Sequence, residues 1–369
     1  MVRVVAKLEP GGAQLSLLRV SRALRARGIE TRLLCGSADA PGIAIARDHG
    51  LTPEVYGQRG LQWSADQGFA DWLRPRLAGA DLVHAHIFGG WWAAARAIEP
   101  GIPLVASEHN PFTWPAEPQI ERLREGLKRV DRFYAHGPNA MATVLAAGLP
   151  AGRLLPGISP VLGLDARPRP WLPASRLMYA GRLHEEKGPD VLLEALALLR
   201  EPPVCFMLGS GCSELSLRRR AAQEDLRGRI HFCGWRRDPA PWIAGASALV
   251  VPSRNEGWSQ TAVLGMGLGV PVIGTAIDGL SQTLADERGI GVSPADPEAL
   301  AGAISAVLSG ERHTDLAGAR HWARRFELEK VVGAYEATYR GLTAPPVLGF
   351  AADPTVPSPS ASPTVRSKA

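Results

Sequence analysis

Short apolar runs alternate with helical patterns along the first half of the chain. Short strand-like runs occupy residues 2–6, 31–35, 82–85, 104–107 and 133–135, and the first of them is rich in β-branched residues. Helical patterns cover residues 13–27, where Gly28 ends the helix, and residues 139–147. Strands that alternate with helices in this way predict a parallel α/β sheet.

The alternation stops at a Pro-rich stretch, residues 156–173, which we interpret as an inter-domain hinge. Beyond it, strands are predicted at 177–180, 204–208, 230–233, 248–251 and 272–274, and helices at 189–199, 215–225, 261–268, 297–308 and 315–340. The chain therefore predicts two Rossmann-like α/β domains facing across a cleft, over residues 1–160 and 170–324, with ligands at the carboxyl ends of the strands. Residues 343–369, rich in Pro, Ser, Ala and Thr, are predicted to be a disordered tail.

Composition indicates a globular protein whose positive charge would suit an anionic partner such as a sugar nucleotide or a bilayer surface, the alternative being a generally Arg-rich chain. The 369 residues are 46% hydrophobic and 21% charged, with a net charge of +5. No uncharged apolar run approaches the ~18 residues that span a bilayer, and Lys7 and Glu9 interrupt the first run, so we expect no signal peptide. The four cysteines show no CxxC spacing and are expected to be reduced. We expect a cytoplasmic protein with at most peripheral membrane contact and no nucleic-acid partner.

Two Gly-containing turns have the composition of phosphate sites. Gly11 and Gly12 join the first strand to the first helix, where the backbone can approach a phosphate, although a plain connection looks the same. Gly181 opens the second turn, residues 181–188. There Arg182 and Lys187 can grip one diphosphate from two sides, unless they are only a surface charge cluster.

Residues 250–261 end a strand and begin a helix. Glu256 can accept hydrogen bonds from sugar hydroxyls, the alternative being that it caps the helix. Backbone N–H groups at the helix start can receive phosphates. The donor-binding residues predicted in this segment are Gly257, Trp258, Ser259, Gln260 and Thr261.

Histidines follow two strands of the first half. His109 lies among polar residues at a strand end, between Glu108 and Asn110, which favours a functional role. His84 lies within an apolar strand, and we assign it to structure.

Together these segments resemble glycosyltransferase family 4, the retaining GT-B glycosyltransferases. Each is common alone, but the ordered set is specific, and it spans most of residues 1–342. The matching pieces are Gly11-Gly12, residues 81–86, residues 108–110, the Gly181 to Gly188 loop, residues 209–211, residues 232–235, residues 252–257, residues 269–272 and the closing helix with Tyr335 and Tyr339. The resemblance implies that residues 325–342 pack back on the N-terminal domain.

The resemblance also implies roles for individual residues. Arg182 and Lys187 would bind the donor diphosphate and stabilise the leaving group, and Glu256 would bind hydroxyls of the transferred sugar. Gly12 would lie against the phosphates, and His109 would touch the donor sugar near the reacting carbon. No Asp-x-Asp sequence occurs in the chain, which agrees with the metal-independent, cofactor-free chemistry of similar enzymes.

One position departs from the family pattern. Similar enzymes carry a second Glu eight positions after the first, where it holds the nucleotide ribose, and here that position is Leu264. Ser259 also replaces a usual Gly. We expect Gln260 to hold the ribose, or nucleotide binding to be weakened or changed.

The resulting prediction is a retaining hexosyl or N-acetylhexosaminyl transferase. Its donor would be a nucleotide diphosphate sugar such as UDP-glucose or UDP-GlcNAc, and its acceptor a small polar molecule such as an aminocyclitol in antibiotic biosynthesis. A polysaccharide or lipid-linked acceptor is an alternative, as is a catalytically weakened nucleotide-sugar-binding subunit. A 2-epimerase, which needs several cleft carboxylates, would have Glu108, Glu256 and Asp278 as candidates.

Overall fold

The computed structural model describes residues 1–113 and 117–343, and the predicted tail falls outside them except for its first residue. Within those residues, the N-terminal sheet has seven parallel strands in the order β3-β2-β1-β4-β5-β6-β7. The strands are β1 (Val2–Leu8), β2 (Arg32–Ala38), β3 (Pro53–Val55), β4 (Val83–His86), β5 (Leu104–Glu108), β6 (Arg132–Ala135) and β7 (Leu154–Pro156). Its helices are α1 (Gly12–Ala26), α2 (Ala40–Asp48), α3 (Gln67–Leu77), α4 (Phe88–Ala97), α5 (Glu117–Leu127) and α6 (Pro138–Ala146).

A second parallel sheet in the described residues has six strands in the order β10-β9-β8-β11-β12-β13. The strands are β8 (Leu177–Ala180), β9 (Cys205–Leu208), β10 (Ile230–Gly234), β11 (Ala248–Val251), β12 (Val272–Thr275) and β13 (Ile290–Val292). The helices are α7 (Pro189–Ala197), α8 (Glu214–Ala221), α9 (Ala240–Ile243), α10 (Gln260–Gly267), α11 (Asp278–Leu284), α12 (Pro297–Leu308), α13 (Leu316–Ala323) and α14 (Leu328–Thr343). The predicted fold class, two Rossmann-like layers of sheet and helices, is confirmed.

Both sheets are buried because helices cover their two faces, as parallel strands require. The strands therefore consist of near-continuous apolar residues; all four residues of β11 are buried. Short 3-10 turns at Leu61–Trp63, Ala151–Arg153, Glu185–Lys187 and Arg324–Phe326 complete the regular structure.

The single long helix predicted over residues 315–340 is wrong. The chain forms α13, a 3-10 turn and α14, with extended backbone at Glu327 (φ −57°, ψ 143°) between them. The break has a packing cause: α13 packs on α10 of the second sheet, whereas α14 packs on α1 of the first. One straight helix could not reach both.

The last helix completes the core of the N-terminal sheet. Val331, Val332, Tyr335 and Tyr339 are buried together with residues of α1, β5 and β6. Hydrogen bonds fix its position, because the Tyr335 hydroxyl donates to the Ile158 carbonyl at 2.8 Å.

Helix α5 overlaps a basic segment, residues 122–132, whose apolar residues recur at helical spacing. Its apolar residues Leu123 and Leu127 are buried, and a Cβ at Gly126 would lie 2.9 Å from the Trp91 ring of α4. The apolar face of α5 is therefore already occupied by the domain core. Among the described helices, none combines the length and hydrophobicity that crossing a bilayer takes.

Candidate functional site

A cleft of about 400 Å³ lies between the carboxyl ends of the two sheets. It is located where the strand order reverses, between β1 and β4 in one sheet and between β8 and β11 in the other. Open α/β sheets bind their ligands at such points. The predicted site residues that line it are Gly11, Gly12, His109, Gly181, Arg182, Lys187, Glu256, Trp258, Ser259, Gln260 and Thr261.

Gly257, the remaining predicted residue, makes a contact between the domains instead. A Cβ there would lie 2.7 Å from the carbonyl oxygen of His109 and 2.8 Å from that of His136. Real Cβ atoms essentially never come so close to backbone, so only glycine fits. Nearby, the Asn139 backbone N–H donates to Asp278 Oδ1 at 2.7 Å. The domains therefore meet through backbone atoms beside the cleft.

Gln260 forms a second bridge between the domains. It is the first residue of α10, and its Nε2 donates to the carbonyl oxygen of Gly12 at 2.7 Å. A Cβ at Gly12 would approach that Nε2 to 3.0 Å. Two helix starts, those of α1 and α10, thus face the same cleft, where their backbone N–H groups favour an anion.

Both predicted cations have carboxylate partners in the cleft. Lys187 Nζ lies 2.9 Å from Glu256 Oε2, and these side chains are only 21% and 13% exposed. Arg182 pairs with Glu186, and both of those side chains are 41% exposed. Ser253 Oγ also donates to Glu256 Oε2, at 3.3 Å. A diphosphate bound here would contact Lys187 next to Glu256. It would compete with Glu186 for Arg182.

Arg3, the second residue of β1, is buried in the N-terminal domain. Its Nη1 donates to His84 Nδ1 at 2.9 Å and to His86 Nε2 at 3.0 Å. The Tyr339 hydroxyl also donates to His84 Nδ1, at 2.6 Å, so His84 Nε2–H donates to Ser107 Oγ at 2.7 Å. His84 is fully buried and structural, as the sequence indicated.

The same arginine sets the tautomer of the histidine that lines the cleft. Arg3 can only donate, so His86 accepts at Nε2 and carries its proton on Nδ1. That Nδ1–H donates to His109 Nε2 at 3.1 Å. A neutral His109 then carries its proton on Nδ1. This assignment follows from the hydrogen-bond network.

Burial keeps these rings neutral. Desolvation, reinforced by the neighbouring Arg3 charge, lowers the pKa of His86 and His109 well below the usual range. Desolvation likewise lowers the pKa of His136 to about 4. His136 stacks on His109 with ring centroids 4.2 Å apart. His109 is therefore a neutral ring in the cleft wall.

Glu108 and Asp278, two of the three carboxylates considered for an epimerase, do not line the cleft. Glu108 is fully buried and accepts hydrogen bonds from Trp91 Nε1 at 3.3 Å and from the His109 N–H at 3.1 Å. Desolvation raises its pKa to about 7. Asp278 caps the contact between the domains. Glu256 alone of that trio faces the cleft.

At the position where similar enzymes carry a ribose-binding Glu, this chain has a buried leucine. Leu264 is 6% exposed and packs in the apolar cluster of the second domain. Gln260, expected to replace it, does line the cleft, with its amide directed to Gly12. Its contact with a ribose stays a prediction.

The structure adds cleft residues that were not among the predicted site residues: Lys7, Glu9, Gln62, Trp63, Ile87, Asn110, His136, Ser159 and Tyr179. Ile87 is notable because it has φ +65°, a conformation that costs a β-branched residue about 1–3 kcal/mol. Lys7 is the second-last residue of β1 and Glu9 directly follows the strand, so both could have been found from their place at a strand end. Among the described residues, no cluster of His, Cys, Asp and Glu has the grouping of a metal site.

Two family models match the chain. "Glycosyltransferase Family 4" matches residues 10–156, and "Glycosyl transferases group 1" matches residues 174–310. The two matches fall on the two sheets, one on each side of the cleft.

Curated and solved proteins agree with those matches. A D-inositol 3-phosphate glycosyltransferase of Xylanimonas cellulosilytica is 28% identical, covering 91% of this chain and 93% of that protein. The structure of Anabaena Alr3699/HepE in complex with UDP-glucose superposes with a TM-score of 0.75 at 18% identity, covering 92% and 99% of the two chains. A sucrose-phosphate synthase from Thermosynechococcus elongatus has a TM-score of 0.76 at 22% identity, covering 93% and 99%.

Proposed function

We propose a donor, an acceptor class and residue roles for this chain, which belongs to the group 1 glycosyltransferases of the GT-B fold and uses a nucleotide sugar. The donor is a UDP-linked hexose or N-acetylhexosamine. The acceptor is a small polar molecule. The observation that carries the proposal is the placement of Arg182 and Lys187 at one cleft with two helix starts.

Charge supports a diphosphate at this position. Arg182 and Lys187 supply positive charge, and the N-termini of α1 and α10 supply backbone donors. Each cation is held near a carboxylate, so the cleft keeps its shape without ligand and exchanges these contacts for phosphate oxygens. The Anabaena protein binds UDP-glucose with the same fold, which supports the choice of UDP.

The chemistry assigned to these residues is electrostatic. Lys187 and Arg182 stabilise the departing diphosphate, Glu256 accepts hydrogen bonds from hydroxyls of the transferred sugar, and His109 donates through Nδ1 to the sugar. The acceptor oxygen bonds to the anomeric carbon as the bond to phosphate breaks. The acceptor proton passes to the leaving diphosphate on the same face, so the configuration is retained.

The test is product analysis by mass spectrometry. The full chain is incubated with UDP-glucose, UDP-galactose, UDP-GlcNAc and the matching GDP and ADP sugars, each with a panel of polyols, sugars and aminocyclitols. A glycosylated product with release of UDP supports the proposal, and transfer only from GDP or ADP sugars contradicts the choice of donor.

Calorimetric titration with UDP tests donor binding independently of sugar transfer. We expect UDP to bind the full chain and Lys187→Ala to weaken that binding, with Lys330→Ala, an exposed lysine outside the cleft, as the matched control. A folded protein that binds no nucleoside diphosphate would contradict the enzyme and favour an auxiliary subunit.

A further inference from the structure

Trp63 presents an exposed indole to the cleft. It is 42% exposed and lines the N-terminal wall. The backbone of its 3-10 turn is anchored in the core, because Leu61, two residues earlier in the turn, is 1% exposed. A Cβ at Gly89 would lie 1.6 Å from the Leu61 carbonyl oxygen, so this turn packs directly on the backbone of α4. An indole held in this way is available for stacking on a ligand ring.

Gln62, beside it, carries an unused hydrogen-bond acceptor. Its Oε1 is buried and has no hydrogen-bond partner within residues 1–113 and 117–343, and the residue lines the same cleft. A buried amide oxygen without a partner costs about 1–3 kcal/mol. A hydroxyl group bound next to Trp63 would supply the missing donor.

The charge on this wall is balanced. Lys7 is the one Lys or Arg among the described cleft residues of the N-terminal sheet domain, and its Nζ lies 2.6 Å from Glu9 Oε2. A phosphate group of charge near −2 would meet a neutralised lysine and a carboxylate. The donor side of the cleft has two cations, Arg182 and Lys187, whereas this wall has one lysine that already contacts a carboxylate, so it carries too little positive charge for a second phosphate group.

We propose that Trp63, Gln62 and the Lys7–Glu9 pair form the acceptor subsite, and that it takes a cyclic polyol without a phosphate group. This inference rests on the proposed transferase function and deepens it. The indole stacks on the apolar face of the ring, Gln62 Oε1 accepts from one hydroxyl, and the ion pair contacts others. The chain thereby differs from its relatives named for D-inositol 3-phosphate.

The experiment compares matched acceptors on the full chain. Pairs such as myo-inositol and inositol 3-phosphate, or glucose and glucose 6-phosphate, are offered with each UDP sugar, and kcat/KM is measured by UDP release. We expect the unphosphorylated member of at least one pair to exceed its phosphorylated partner by about 10-fold or more, since that ratio corresponds to about 1.4 kcal/mol. Preference for the phosphorylated members would overturn the inference.

Variants test the subsite separately from the donor site. Trp63→Ala should raise the acceptor KM about 10-fold or more and leave the donor KM unchanged. Trp63→Phe, which keeps an aromatic ring, should have an acceptor KM close to that of the wild type. Trp171→Ala is the matched control, because Trp171 is 60% exposed but packs on Trp242 in the second domain. An unchanged acceptor KM in Trp63→Ala would refute the stacking role.

The donor reaction distinguishes failure of the acceptor subsite from failure of the proposed function. A chain that binds UDP and slowly hydrolyses a UDP sugar, but accepts only phosphorylated rings or no polyol at all, keeps the proposed function and loses the acceptor subsite. A folded chain that neither binds nor turns over any nucleotide sugar loses both.

Discussion

Replacement of Lys187 by alanine tests the central charge arrangement of the cleft. Lys187 Nζ lies 2.9 Å from Glu256 Oε2 and 3.4 Å from the Asn255 carbonyl oxygen, and its side chain is 21% exposed. A charge-assisted hydrogen bond in such a partly buried setting contributes about 1.5–3 kcal/mol. Losing it at the leaving diphosphate should therefore lower kcat/KM by about 30-fold, which corresponds to about 2 kcal/mol.

The charge of Glu256 should make the loss of kcat/KM in Lys187→Ala larger. Without Lys187 its carboxylate, 13% exposed, stays unpaired beside the diphosphate, and like charges repel. Glu256→Gln keeps an acceptor for sugar hydroxyls but removes that charge. In the double variant the loss should be smaller than the sum of the single losses by about 1 kcal/mol, the coupling expected of a contacting pair.

The assay is steady-state UDP release with the best donor and acceptor, with thermal unfolding to show that each variant folds. Lys330→Ala, whose lysine pairs with Glu327 away from the cleft at 3.0 Å, should keep full activity. Wild-type kcat/KM in Lys187→Ala, or strictly additive losses in the double variant, would refute the reasoning.

Three further outcomes follow from the described contacts. Glu186→Gln frees Arg182 from an ion pair whose side chains are 41% exposed, worth at most about 1 kcal/mol, so UDP should bind about 2- to 5-fold tighter by calorimetry, and weaker binding would contradict the competition. Gly257→Ala places a Cβ 2.7 Å from a carbonyl oxygen of the opposite domain, so kcat/KM should fall by about 10-fold or more as the cleft geometry shifts with little change in the unfolding temperature, and unaltered kinetics would show that the domains part freely. Acid should lower the free energy of unfolding. Between pH about 6.5 and about 4, His84, His86, His109 and His136 bind protons in the unfolded chain but stay neutral in the folded protein. Glu108, whose pKa is raised to about 7, acts in the opposite direction, but one group is outweighed by four. Urea unfolding at pH 7.5 and 5.5 measures it, with a smaller difference expected for His136→Gln; a protein equally stable at both would contradict the neutral histidines.

The alternation of strands and helices was readable because most central strands are short, largely apolar runs. The edge strands β3, β7 and β13, three residues each, carry too little pattern to be found. Helix α4 was missed for another reason. Nearly all of its residues are buried, so it has no polar face to reveal the helical period.

Site residues were predictable where they directly follow a strand. Arg182 and Lys187 lie after β8 and Glu256 after β11, positions that parallel topology brings to one edge. Gln62 and Trp63 lie in a turn between β3 and α3, and no sequence pattern in this segment indicates that the turn lies at the cleft. Arg3 read as an ordinary strand position, because its burial among histidines depends on β4 and on the last helix.

The crossing of α14 has a consequence for biosynthesis. Residues 328–343 supply Val332, Tyr335 and Tyr339 to the core beneath the first sheet, and Tyr339 completes the bonding of His84. During synthesis, the first 160 residues emerge from the ribosome long before that helix does. Until residues 328–343 have been synthesised, the first domain exposes the apolar groove that α14 covers in the folded protein. A gene fragment ending near residue 327 should therefore yield an aggregating polypeptide although both sheets are encoded in full.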